Sequence, residues 1–202
     1  MTNNGRKEHP VLFADEKSGW LPDKPNEIAF TLTRYTFALT VASDMLEENR
    51  NTYLDFGCGT GLGTELIASS FKKSYGVEKR PECIEYAVRV HNRAPISYLH
   101  NLPDGATFDY VTMLEAIEHL DQAEAVTILR AISSAMPAHG VLYITTPVSG
   151  THDGSNPDNT YHKHEYHPGE LKTLLERFFY SVEIRNFLGV DFLQAICQEP
   201  KK

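Results

Sequence analysis

The chain has 202 residues, a hydrophobic content of 41% and a formal net charge of −8 at pH 7. This length is sufficient for one globular domain with a sizeable core. The acidic balance argues against sequence-independent binding to nucleic acid or to an anionic membrane, because both need a basic surface.

Neither a membrane segment nor a disulfide framework is indicated. No apolar run approaches the roughly 20 residues of a spanning helix, and the first residues contain no apolar signal-peptide core. The three cysteines, Cys58, Cys83 and Cys197, are odd in number and far apart, which makes a zinc site or disulfide pairing improbable. We therefore expect a cytoplasmic protein without a membrane partner.

Residues 1–24 are polar and contain several prolines, so we predict an extended N-terminal arm followed by a single domain over residues 25–202. From Asn26, the predicted cap, apolar residues recur at steps of three and four, which predicts an amphipathic helix. These residues are Ile28, Leu32, Tyr35, Leu39, Ala42 and Leu46.

After this helix, predicted strands and helices alternate along the chain. The strands are expected at residues 53–56, 75–78, 96–99, 108–114 and 141–144, the last ending before Pro147. Helices are expected from Leu62, from Pro81, over 123–135 and over 168–178, and an antiparallel pair (181–187 and 192–198) closes the chain. This order predicts an α/β fold with a doubly wound, mostly parallel seven-stranded sheet covered on both faces.

Polar side chains follow the predicted parallel strands where each one ends. Right-handed crossovers place all the carboxyl ends at one edge of the sheet, where ligands bind. We therefore expect Asp55, Glu78, His100, Glu115 and Thr145 to face one cleft.

The first of these strands leads into a glycine-dense turn over residues 53–63. Glycine lacks a Cβ atom, so such a turn lets a ligand approach the backbone closely. A dinucleotide fingerprint, G-x-G-x-x-G, fails because its third glycine position is Leu62. The pattern is instead D-x-G-x-G-x-G, from Asp55 to Gly61.

This pattern resembles motif I of the class I S-adenosylmethionine-dependent methyltransferases. The resemblance implies a Rossmann-like methyltransferase fold, S-adenosylmethionine as cofactor, and a glycine loop beneath the amino-acid part of that cofactor. An acidic residue in the loop is better matched to the sulfonium cation of this cofactor than to the negative charge of a pyrophosphate. The implied cofactor contacts are Tyr35, Asp55, Gly57, Cys58, Gly59, Thr60, Gly61, Glu78, Lys79, Asn101, Leu102, Leu114 and Glu115.

Two of these contacts follow neighbouring strands. Glu78 ends the second strand, where a carboxylate can accept both hydroxyls of a ribose. The family usually has an acidic residue after the third strand, near the adenine. Here His100-Asn101-Leu102 occupies that place, so Asn101 is the expected partner of the adenine edge.

The fourth strand runs into residues 113–120, which resemble the L-E-x-I-E-H-L segment of many class I methyltransferases. The resemblance implies that His119 is the general base and that Glu115 and His162 share the catalytic site. A neutral imidazole, with an ordinary pKa near 6.5, can take a proton from a hydroxyl or an amine.

A metal-dependent alternative uses part of the same segment. Glu115, Glu118 and His119 are spaced i, i+3, i+4, so a helical turn would gather them on one side. Together with His162 they resemble the metal ligands of small-RNA 3′-end 2′-O-methyltransferases. The sequence leaves this alternative open.

The acceptor is suggested by residues 156–166, followed by Glu170-Leu171. They resemble a stretch of methyltransferases found with glycosyltransferases in polysaccharide modification. That resemblance implies methylation of an oxygen or nitrogen of a small polar acceptor such as a sugar. It also implies that His162 and His164 line the acceptor pocket, and that Arg34 and Tyr35 help to close over S-adenosylmethionine. A non-catalytic S-adenosylmethionine-binding partner protein remains an alternative.

Overall fold

The computed structural model describes residues 25–46, 50–91, 95–157, 159–186 and 192–202. The predicted N-terminal arm lies outside these residues. The helices are α1 (Pro25–Met45), α2 (Leu62–Ala68), α3 (Pro81–Val90), α4 (Gln122–Ala135) and α5 (Pro168–Leu175). The strands are β1 (Thr52–Phe56), β2 (Lys73–Val77), β3 (Ile96–Leu99), β4 (Tyr110–Leu114), β5 (Val141–Pro147), β6 (Phe179–Asn186) and β7 (Phe192–Pro200).

The strands form one seven-stranded sheet in the order β3-β2-β1-β4-β5-β7-β6. The first five strands are parallel, and β7 inserts antiparallel between β5 and β6. Because β1 pairs with both β2 and β4, the strand order reverses beside β1, and ligands bind at such a point. The predicted doubly wound fold with a closing antiparallel pair is confirmed.

Alternate residues of each strand enter two different apolar layers. In β5, Leu142 and Ile144 belong to the layer with α4 and α5, while Val141 and Tyr143 belong to the layer with α1 and α2. This period-two pattern is what a sheet covered on both faces requires. The burial of both layers fixes the register, and thereby the position of every strand end.

Most element ends differ from the predictions by one to three residues, and two of these differences have a direct physical reason. Strand β5 does not end before Pro147 but includes it, and Pro147 pairs with Phe192 of β7. Pairing with β4 stops at Thr145, so the missing N–H of Pro147 is not needed on that side. Helix α1 begins at Pro25, where proline is favoured, so Asn26 is not its cap.

Helix α1 has 21 residues. Neither it nor any other helix in the described part of the chain is long and apolar enough to cross a membrane.

Candidate active site

The loop after β1 is built on glycines in the left-handed region. Gly57, Gly59 and Gly61 have φ values of 81°, 52° and 85°, which side chains rarely tolerate. The backbone N–H of Gly57 donates to the Val77 carbonyl at 2.8 Å. A Cβ atom at Gly57 would lie 2.7 Å from the Cβ of Ala116. The loop therefore crosses the end of β2 with no room for a side chain at Gly57.

The next glycine along the chain, Gly63, leaves room for a side chain of helix α1. A Cβ atom there would lie 2.0 Å from the ring of Tyr35. The Tyr35 hydroxyl donates to Asp55 Oδ2 at 2.9 Å. Helix α1 is thereby tied through one buried side chain to the start of the glycine loop.

Asp55 lies fully buried beneath the loop. Its carboxylate accepts hydrogen bonds from three hydroxyls: Tyr35 and Thr64 on Oδ2, and Thr112 on Oδ1. Burial raises the pKa of Asp55 to about 6, although these hydrogen bonds oppose the shift. The side chain thus joins α1, α2 and β4 below the predicted cofactor site.

Glu78 joins the end of β2 to the loop. Its Oε2 accepts the backbone N–H of Gly59 at 3.1 Å, and its Oε1 accepts the backbone N–H and the Nε–H of Arg80. The ring Nδ1 of His100 lies 3.2 Å from the Glu78 carbonyl oxygen. The carboxylate therefore lies at the strand end where a ribose was expected.

The remaining predicted cofactor contacts occupy different environments. Lys79 and Asn101 are exposed in the turns after β2 and β3, with Leu102 half-buried beside Asn101. Leu114 packs in the layer with α1. Within the loop, Cys58 and Thr60 are buried, with 5% and 8% of their surfaces exposed. Burial raises the thiol pKa of Cys58 well above its ordinary value.

Glu115 does not belong to a helical turn, contrary to the expectation for the E-x-x-E-H segment. It has a φ of 51° directly after β4, and the short 3₁₀ helix that follows covers only Ile117–His119. Its Oε1 accepts the hydroxyl of Thr145 at 2.8 Å, and its Oε2 lies 3.3 Å from Arg34 Nη2. Burial raises the pKa of Glu115, and the Arg34 charge opposes this.

Glu118, His119 and His162 form the one compact cluster of potential metal ligands among the described residues. Each offers one ligand atom, and these atoms lie within 4.8 Å of one another. Glu118 Oε2 accepts the Thr146 hydroxyl at 3.0 Å, whereas its buried Oε1 has no hydrogen-bond partner among the described residues. Three of the four predicted metal ligands therefore come together. The fourth, Glu115, is not part of the cluster, and its carboxylate contacts Arg34 and Thr145 instead.

The hydrogen bond of His119 defines its tautomer. Its Nδ1 lies 3.0 Å from the carbonyl oxygen of Tyr161, and a carbonyl can only accept, so Nδ1 carries the proton. The lone pair is then on Nε2. Burial lowers the pKa of His119, so the imidazole is neutral at pH 7.

The loop after β5 delivers His162 to this cluster. The backbone N–H groups of Lys163 and His164 both donate to the Glu118 carbonyl, at 2.7 and 3.1 Å. The rings of His119 and His162 lie 5.0 Å apart and nearly perpendicular. The predicted second pocket histidine, His164, instead contacts Glu170 through Nε2 at 2.6 Å.

Three buried threonines, Thr64, Thr112 and Thr146, are the part of the site that the sequence analysis missed. Thr64 and Thr112 bind Asp55, while Thr145, which was expected at this edge, and Thr146 bind Glu115 and Glu118. For Thr112 and Thr146, a hydroxyl inside an otherwise apolar strand was the available indication, since a buried hydroxyl needs a partner. The sequence could not show which carboxylate each one binds.

A model of the family described as a methyltransferase domain matches residues 29–185. A probable S-adenosylmethionine-dependent methyltransferase of Mycolicibacterium smegmatis is 31% identical over 143 residues, 68% of this chain and 54% of the relative. A mitochondrial ubiquinone biosynthesis O-methyltransferase of Schizosaccharomyces pombe is 27% identical over 164 residues, 74% of this chain and 59% of the relative. The chain thus spans a little over half the length of these curated relatives.

The fold is also similar to that of the N-methyltransferase NodS from Bradyrhizobium japonicum, solved with S-adenosyl-L-homocysteine. The TM-score is 0.70 at 20% identity, covering 93% of this chain and 94% of that one. At this identity the similarity shows a shared fold.

Proposed function

Since this chain belongs to the family of methyltransferase domains, we propose that it transfers a methyl group from S-adenosylmethionine to an oxygen or nitrogen of a small polar acceptor. The family match and the relatives bear out the predicted enzyme class and cofactor. An O-methyltransferase among the relatives and an N-methyltransferase among the similar folds support both acceptor atoms. The resemblance of residues 156–166 favours a sugar or a sugar-bearing molecule as the acceptor.

The cofactor would lie over the glycine loop. Gly57, Gly59 and Gly61 carry no side chains and adopt positive φ values, so the cofactor can approach the backbone at these positions. Glu78 offers carboxylate oxygens at the adjoining strand end. When bound, S-adenosylmethionine supplies an activated methyl group, so the protein mainly needs to position the acceptor in line with it. Tyr35 and Arg34 of α1 would close this site from the side.

His119 would be the general base, and its fixed tautomer is the observation that carries the proposal. Its Nδ1–H donates to the Tyr161 carbonyl, so Nε2 is ready to accept a proton. His119 ends the short segment after β4, and β4 neighbours β1 in the sheet, so both segments follow strand ends at the same sheet edge. Tyr161 exposes 46% of its surface beside His119, and an exposed aromatic ring suits the apolar face of a sugar.

The test combines calorimetric titration of S-adenosyl-L-homocysteine with a screen of sugars, sugar nucleotides and amino sugars for methyl transfer. We expect His119→Ala to lower turnover about 100-fold and to leave S-adenosyl-L-homocysteine affinity nearly unchanged. His152→Ala, an exposed histidine on the loop after β5, is the matched control and should retain full turnover. A His119→Ala variant with the wild-type rate would remove His119 from the mechanism.

The second candidate function is metal-dependent 2′-O-methylation of an RNA 3′ end. The observation in its favour is the convergence of Glu118, His119 and His162, since a carboxylate and two imidazoles suit a divalent transition metal. The Oε1 of Glu118, which has no hydrogen-bond partner among the described residues, fits this role. Without a cation, burial and the Glu115 charge raise the pKa of Glu118 far above its ordinary value; a cation would favour the ionised carboxylate. A cation held there would supply Lewis-acid activation of the acceptor hydroxyl.

Metal titration separates the two candidates. If the metal-dependent candidate is right, EDTA-treated protein should bind manganese or zinc stoichiometrically. Glu118→Gln should then weaken this binding, and methyl transfer to RNA ends should require the metal. Turnover on small acceptors that persists in EDTA would instead support metal-independent transfer with His119 as base.

A further inference from the structure

We infer that Glu165 is a positioning residue that fixes the tautomer and orientation of His162 toward Glu118 and His119. The inference rests on the proposed function in one respect: it takes residues around His119 to be the reacting site. Glu165 has only 4% of its surface exposed. Its Oε1 lies 2.5 Å from Nδ1 of His162 and 2.7 Å from Nδ2 of Asn156.

The donor and the acceptor of each of these hydrogen bonds can be worked out from a backbone N–H, which can only donate. The backbone N–H of Asn159 donates to Asn156 Oδ1 at 3.0 Å, which sets the orientation of the Asn156 amide. Its Nδ2 therefore points to Glu165 and can only donate. Glu165 Oε1 is consequently an acceptor, so the Nδ1 of His162 must donate to it, and the lone pair of His162 lies on Nε2.

The same arrangement governs both histidines of the cluster. His119 donates from Nδ1 to a backbone carbonyl, and His162 donates from Nδ1 to Glu165. Both rings thus present a basic Nε2 within the cluster that contains Glu118. A histidine whose second nitrogen is bound to a carboxylate is held in one tautomer and one ring orientation.

The backbone of Glu165 is also held in place by a hydrogen bond. Its N–H donates to the Gly154 carbonyl at 2.8 Å. Gly154 has a φ of 75°, and a Cβ there would lie 2.4 Å from the ring of His164. The backbone of Glu165 is therefore held against Gly154, directly after the His164 N–H that donates to the Glu118 carbonyl.

The first experiment measures the tautomer directly in the full chain. Two-bond ¹H–¹⁵N correlation spectra of ¹⁵N-histidine-labelled protein distinguish a protonated Nδ1 from a protonated Nε2, and His162→Gln assigns the signals. We expect the Nδ1–H form for His162 in the wild-type protein. An Nε2–H form would overturn the inference, whether or not methyl transfer is observed.

The second experiment compares substitutions at two histidine–glutamate pairs. Glu165→Leu, which removes the acceptor, should lower kcat about 10- to 100-fold while leaving the KM for S-adenosylmethionine nearly unchanged. Glu165→Gln keeps an acceptor oxygen and should restore kcat to within a few-fold of wild type. Glu65→Gln is the matched control, since Glu65 Oε2 lies 2.8 Å from Nδ1 of His91, outside the cluster, and should retain the wild-type kcat.

The outcomes separate the inference from the proposed function. If His162 shows the expected tautomer but no acceptor is methylated by the wild-type protein, the proposed function fails and the positioning role stands. If methylation occurs and Glu165→Gln loses as much kcat as Glu165→Leu, with unfolding curves like those of wild type, acceptance of the Nδ1 proton is not what matters and the inference fails. If the Glu165→Leu protein is unfolded, the wild-type spectrum still decides.

Discussion

At the scale of single residues, the carboxylate of Asp55 joins three elements below the glycine loop. The predicted cofactor contact is a fully buried carboxylate bound by three hydroxyls from three elements. The sequence shows that an acidic residue precedes a glycine loop, but it does not show that Asp55 is buried, because this burial depends on how α1 packs over the loop. The threonines that bind Asp55 are distant along the chain, so their pairing with it could not be predicted.

The buried Asp55 predicts a pH dependence of stability. Its pKa in the folded chain is about 6, above the ordinary value of 3.8, so the folded state binds a proton more tightly than the unfolded state. The stabilisation is complete below pH 3.8 and is lost as the pH rises through 6, which amounts to on the order of 3 kcal/mol.

The measurement is urea unfolding of wild type and Asp55→Asn between pH 4 and pH 7. The asparagine does not ionise, so the stability of wild type relative to the variant should fall by roughly 2.5 kcal/mol over this range, most of the full effect. A constant difference across the range would show that Asp55 is not the titrating group.

At the scale of elements, the packing of α1 on the glycine loop decides how the site is closed. A Cβ at Gly63 would meet the Tyr35 ring at 2.0 Å, so Gly63→Ala must displace that ring and with it the hydrogen bond to Asp55. We expect a loss of about 1–3 kcal/mol in the free energy of unfolding, measured by chemical denaturation.

A matched control for Gly63→Ala is a glycine in α5. A Cβ at Gly169 has nothing within 4 Å, so Gly169→Ala should stabilise the helix by about 0.5–1 kcal/mol. The cost of Gly63→Ala should also shrink in a Tyr35→Ala background, because the two residues are in contact. Equal costs in both backgrounds would mean that Tyr35 is not the obstacle.

Helix α4 offers a second element-scale prediction. The Asp121 side chain accepts the backbone N–H of Glu124 at 2.8 Å, and the Glu124 side chain accepts the backbone N–H of Asp121 at 2.9 Å. Asp121→Ala should therefore cost about 1 kcal/mol in thermal or urea unfolding, while Asp121→Asn should cost much less. A full-sized loss in the asparagine variant would argue against capping as the cause.

Elements were more predictable than their ends. Periodicity located the strands and helices, because apolar spacing reports which face is buried. It could not show that Pro147 belongs to β5, since this depends on where pairing with β4 stops. Nor could it show that Glu115 leaves the strand at a φ of 51°, which kept it out of the helical turn that its spacing suggested.

At the scale of the whole molecule, the alternation of strands and helices was sufficient to predict the doubly wound sheet, because connection rules leave few alternatives. The candidate site was less predictable, since it draws on α1, the strand ends and the loop after β5. Glu118, His119 and His162 converge only because the backbone of that loop binds the Glu118 carbonyl. No local pattern encodes such a contact.

Cofactor binding should stabilise the whole chain by mass action. S-adenosyl-L-homocysteine at 100 times its Kd should add about 2.7 kcal/mol, which for a protein of this size raises Tm by roughly 5–10 °C. Gly59→Arg should abolish this shift, because Gly59 has a φ of 52° and its N–H binds Glu78. Gly150→Arg, where a Cβ meets nothing within 4 Å, should retain the shift. Scanning calorimetry of the three proteins with and without the ligand decides, and a full shift in Gly59→Arg would move the cofactor away from the glycine loop.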